Sequence, residues 1–79
     1  MPTKSLEKYS EAERKIMSEF GQRVRQLREE AGLSQEKLAE LTDVHRTYIS
    51  GIERGRQNIS LLTMHQLALA LETDVSKLV

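Results

Sequence analysis

Arg46, Thr47 and Ser50 stand within five residues of one another, and on a helix turning ~100° per residue they share one side. Their chemistry is that of a groove reader. A guanidinium can grip the O6 and N7 of guanine with two donors, and a threonine offers a hydroxyl or sets its methyl against that of thymine. Arg46 would serve equally as a phosphate clamp, and the sequence leaves those two roles open. Gly51 and Arg54 continue the same side, while Ile49 and Ile52 define the opposite, buried one. Glu53, the only acid of this helix, turns toward the buried flank, so the presented side carries no carboxylate.

The neighbours of these residues suit a nucleic-acid backbone. His45 stands at the helix start, where it either touches phosphate or caps the helix as a neutral imidazole. Tyr48 lies on the flank of the buried face, placing its ring on the domain and its hydroxyl within reach of a phosphate. Gly51 is out of place for a helix surface, since glycine there costs ~1 kcal/mol relative to alanine. It implies either close approach to a sugar–phosphate edge or packing of Tyr48 or Arg54 across it. Arg54, Arg56 and Asn58 form a second anion-facing cluster, with Gln57 read as a solvated loop residue. Gln35 opens the preceding helix, where free N–H groups favour phosphate.

Other chemistries fail at the level of motif. Asp43, His45 and Ser50 are close in sequence, but the serine faces outward and the histidine starts the helix, with no oxyanion arrangement implied. His65 is isolated, so no metal constellation forms. There is no cysteine, hence no disulfide and no thiolate site. Catalytic residues, metal, cofactor and small-molecule ligand are all expected to be none.

The elements that position these groups follow from periodicity and caps. Residues 1–9 are polar, contain the single proline, and read as a flexible arm; residues 10–79 read as one domain. Ser10 and Glu13 have capping-box spacing. Ile16, Phe20, Val24, Leu27 and Ala31 then mark an amphipathic helix stopped at Gly32. Its opening turns, 11–17, can extend past the core, so Ile16 and Met17 either pack on the domain or meet a partner. Ser34 caps a second helix with Leu38 and Leu41 inward, and Thr42-Asp43 makes a tight turn. The third helix runs from Val44 or His45 to Arg54 and stops at Gly55. Ser60 caps a fourth carrying Leu62, Leu67, Ala68 and Leu71, and Asp74 can cap a last short turn over 75–79. Ala39 is small enough for the third helix to cross close over the second. Five helices and no credible strand result.

QEKLAELTDVHRTYISGIERG, preceded by RQLREEAGLS, resembles the Xre/Cro/C1-type helix-turn-helix regulators of bacteria and phage. The HRTYISGIERGRQNISL segment looks especially like the small controller proteins of restriction–modification systems. The resemblance covers roughly residues 20–79. It implies an all-α, five-helix lambda-repressor-like DNA-binding domain that regulates transcription. It also implies that Arg28 pairs with Glu53 as a structural salt bridge. On the same grounds Gln35 holds the DNA backbone and braces the recognition helix, and the Arg56–Asn58 loop clamps the backbone beyond it. Asp43 departs from the family, which usually has glycine at that turn; aspartate tolerates positive φ better than most residues.

Composition bounds the rest. A chain of 79 residues with 38% hydrophobic content and a single phenylalanine supports one modest aliphatic core. No apolar run is long enough for a membrane span or signal peptide, so a cytoplasmic protein is expected. Formal net charge is zero, but Arg46, Arg54 and Arg56 gather between Val44 and Ser60 against Glu53 alone. The expected partner is double-stranded DNA, read by a homodimer because one motif spans few base pairs. Leu69, Val75, Leu78 and Val79 exceed what the core absorbs and are the expected dimer interface. Two rival roles keep the same fold: an antitoxin that also binds a toxin, and a protein-interaction module without DNA binding.

Overall fold

The computed structural model describes residues 8–79, so most of the expected arm lies outside the described residues. Four α-helices follow in order: α1 (Glu11–Glu30), α2 (Gln35–Thr42), α3 (Arg46–Glu53) and α4 (Leu61–Ala70). Among the described residues there is no strand, and no helix is long and apolar enough to cross a membrane. Each helix start is fixed by a side chain. Ser10 Oγ accepts from the Glu13 N–H and Glu13 Oε1 from the Ser10 N–H, closing the capping box. Ser34 and Ser60 cap α2 and α4 through the N–H groups of Lys37 and Thr63.

The helix ends use the left-handed region where the chain must reverse. Past α1, Gly32 sits at φ 73°, with the Leu33 N–H returning to the Arg28 carbonyl at 3.0 Å. Asp43 ends α2 at φ 57°, ψ 44°, and its successor Val44 donates to Ala39 O at 3.0 Å. The turn therefore keeps a glycine-like geometry with an L-residue in it, at a cost of roughly 1–2 kcal/mol.

The core gathers Val24, Leu38, Ala39, Ile49, Ile52, Leu67, Ala68, Leu71 and Leu78, with Phe20, Leu27, Val44 and Tyr48 packed against it. The tightest crossing is between α1 and the end of α3. A Cβ on Gly21 would stand 2.1 Å from the Ile52 carbonyl oxygen and 2.9 Å from that of Glu53. Only a residue without a side chain lets the two backbones meet there.

Several expectations need correction. The fifth helix is a single turn of 3-10 helix, Val75–Lys77, and Asp74 makes no side-chain cap to it. That turn folds Leu78 back into the core, where it is 0% exposed, so Leu78 cannot line a dimer interface, and Val75 is half-buried against the same core. Leu41 points outward, and Thr42 takes the inward position because its hydroxyl donates to the Leu38 carbonyl at 2.7 Å. Leu62 is 73% exposed, since α4 is apolar around its circumference and only Leu67 and Ala68 of it are fully buried. Ile16 is 66% exposed, while Met17 is half-buried.

Candidate nucleic-acid interface

Helix α3 begins on His45, whose Nδ1 accepts the Thr47 N–H at 3.1 Å and also meets Thr47 Oγ1. The ring is thus a cap, and a neutral imidazole accepting at Nδ1 carries its proton on Nε2, leaving that N–H to donate elsewhere. Arg46, Thr47 and Arg54 are exposed, and Ser50 and Gly51 are half-exposed between them. Ile49 and Ile52 are fully buried on the opposite side. Tyr48 packs on the core along the flank.

The acid of this helix is turned inward and neutralised there. Glu53 is bound by Arg28 through two bonds, Nε to Oε2 at 2.6 Å and Nη2 to Oε1 at 3.1 Å, and both side chains are largely buried. Arg28 Nη1 also donates to the Leu33 carbonyl at 2.8 Å, tying the end of α1 to the loop after it. The hydrogen bond it donates to Glu53 holds the Arg28 guanidinium above its ordinary pKa, against the opposing effect of burial. Gln35 completes the cluster: its Nε2 donates to Glu53 Oε1 at 3.0 Å. One of its two Nε2 hydrogens is thereby used on α3, leaving the other and the backbone N–H at the start of α2 for a phosphate.

The arginines around α3 stand apart from the ion pairs among the described residues, as do Arg14, Arg23 and Lys77. Lys15, Arg25, Arg28 and Lys37 all lie in ion pairs with carboxylates on α1, α2 or α3. Arg46, Arg54 and Arg56 have none among the described residues. Arg56 and Asn58 are exposed on the α3–α4 loop, where the Arg56 N–H returns to the Gly51 carbonyl at 2.9 Å. The sequence reading missed Gln57, which lies against Gly51 and is half-buried rather than solvated. The signal was present in Gly51 itself, a glycine that something must cover.

Residues 24–78 match the model of the helix-turn-helix family HTH_3. The chain belongs to this helix-turn-helix family. The family member is 55% identical over 53 residues to the control protein C.BamHI of Bacillus amyloliquefaciens, over 66% of this chain. That match spans 65% of the relative, just under two thirds of its length. It is 48% identical over 59 residues to the control protein C.SmaI of Serratia marcescens, covering 75% of this chain and 70% of that one. Among solved structures, the restriction-modification controller protein C.AhdI from Aeromonas hydrophila superposes with a TM-score of 0.78 at 46% identity, covering 80% of this chain and 96% of that one. The biofilm regulator SinR in complex with DNA gives a TM-score of 0.71 at 38% identity, over 75% and 95% of the two chains. The relatives of this helix-turn-helix protein are thus controller proteins and transcriptional regulators, and none of these names is that of an enzyme.

Proposed function

We propose that this protein is a sequence-specific DNA-binding regulator of transcription, acting as a homodimer on a pseudo-palindromic operator and serving as the controller of a restriction–modification system. The observation that carries the reading is the outer side of α3. Its exposed arginine and hydroxyl side chains face solvent without a carboxylate, because Glu53 is buried against Arg28 and Gln35. A surface so composed offers base-edge donors while repelling no phosphate. Arg46, Thr47 and Ser50 read bases. Arg54, Arg56, Asn58, Tyr48, the His45 Nε2–H and the backbone at Gln35 hold the phosphates on either side.

The dimer reading rests on α4. Leu62 and Leu69 lie seven residues apart on one outward stripe of this helix, at 73% and 63% exposure, and Leu61 and Val79 are exposed as well. Small monomers seldom leave such residues bare. Leu69 and Val79 remain in the interface from the sequence reading, and Leu61 and Leu62 replace Val75 and Leu78. Operation inside the cytoplasm follows from the same role, since the operator is there. Selection of bound duplexes from a random DNA pool tests the proposal. Enrichment of an inverted repeat is the expected result, and recovery of no preferred sequence would defeat it.

A further inference from the structure

The α3–α4 loop doubles back so that the Gln57 side chain lies along α3 at Gly51. A Cβ built on Gly51 would stand 3.1 Å from Gln57 Nε2 and 3.2 Å from its Cγ. Gly51 is on the outward side of α3, between Thr47 and Ser50 on one hand and Arg54 on the other. The carboxamide is therefore laid onto the reading surface by a residue outside the helix. Gln57 is half-buried, and among the described residues no hydrogen bond engages its amide, neither polar atom of which is sealed from solvent.

We propose that Gln57 is a base-reading residue, held against Gly51 so that its carboxamide meets the N6 and N7 edge of an adenine in each operator half-site. The inference rests on the DNA-binding reading above. An amide carries one donor group and one acceptor side by side, which matches adenine's N6 donor and N7 acceptor in the major groove. A phosphate asks only for donors, and the exposed Arg54 and Arg56 supply them from the same segment. Gly51 then has a function beyond helix formation: it is the seat that lets the amide approach the helix axis.

The test uses the full chain and the duplex selected from the random pool. If the native protein prefers no duplex, the DNA-binding reading itself fails. If it does prefer one, Gln57→Ala should bind that duplex roughly tenfold more weakly. Binding to a random duplex should be unchanged, and a repeated selection should lose the adenine preference at one position per half-site. Gly51→Ala should shift the Gln57 side chain by a few tenths of an ångström and so weaken the selected duplex in the same direction but less than Gln57→Ala, with an undiminished melting temperature. The double variant should be no weaker than Gln57→Ala alone. Unchanged binding by Gln57→Ala, or equal losses on selected and random duplexes, would overturn the base contact. Native binding by Gly51→Ala, or additive losses in the double variant, would overturn the seating on Gly51.

Discussion

Arg46 has the most to gain or lose from the identity of the bases before it. It is exposed at the first turn of α3 and unpaired by any carboxylate among the described residues, so its guanidinium arrives at the duplex free. If it reads a guanine bidentately, Arg46→Ala costs ~1–3 kcal/mol on the operator and much less on random DNA. Competition binding against both duplexes checks this, and equal losses would make Arg46 a phosphate contact. Glu53 acts at the same scale in the opposite direction. Glu53→Gln strands the buried Arg28 charge and should lower stability by about 3 kcal/mol, read from urea unfolding. Since the folded Arg28 pKa is raised, its share of the stabilisation is complete below the unfolded value and is lost only as pH rises through the folded one. That window lies in strong alkali, so the loss from Glu53→Gln should not vary across neutral pH on account of Arg28.

At the scale of elements, the crossing of α1 over the end of α3 sets the angle at which the reading helix is offered. Gly21 is the contact. In a free helix, Gly→Ala stabilises by ~1 kcal/mol. Here the new methyl would sit 2.1 Å from the Ile52 carbonyl oxygen, and overpacking of this kind costs ~1–3 kcal/mol or more. Gly21→Ala should therefore lower the melting temperature, the reverse of the propensity rule, and calorimetry decides the sign. Gly21 also marks where sequence reading ends. The caps at Ser10, Ser34 and Ser60 and the αL stops at Gly32, Asp43 and Gly55 were legible, because capping is local chemistry repeated at fixed spacing, whereas the αL residue after α4, Glu72, was not. The outward side of α3 was legible because only one apolar stripe competes for the core. Helix α4 carries apolar residues on every side, so the sequence reading puts Leu67 and Ala68 inward and Leu69 outward, as found, but also puts Leu62 inward when it is exposed. Gly21 takes its meaning from a residue 31 positions away, of which spacing along the chain carries no trace, whereas Gln57 was announced only indirectly, by the odd glycine at position 51.

At the scale of the molecule, two leucines separate folding from assembly. Leu69 is 63% exposed and Leu78 is 0% exposed, although both lie in the C-terminal part of the chain. Leu69→Asp should leave a helical, cooperatively melting domain that sediments as a monomer and binds the operator weakly. Leu78→Asp should unfold the domain itself by burying a charge without a partner. If Leu69→Asp sediments as the native protein does, α4 is not the interface. A dimer built on α4 would carry its two α3 helices into successive major grooves ~34 Å apart, so the half-sites should be centred about one helical turn from each other. With no net charge over the whole chain, such a protein is expected to bind random DNA poorly. Most of its hold on the operator must then come from the bases.

The inward turn of Glu53 has a consequence for how such regulators diverge. Apart from the exposed His45 cap, what holds α3 in place, from Arg28 and Gln35 to Ile49 and Ile52, lies on the side away from the reading surface. Arg46, Thr47, Ser50 and Gln57 contribute little to that scaffold, and can be exchanged without reopening the question of whether the chain folds. Address and chassis are inherited separately. Two copies in one cell could therefore drift to different operators through a handful of surface substitutions, each step passing through a fully folded protein, and so become insulated from each other while their interiors remain interchangeable.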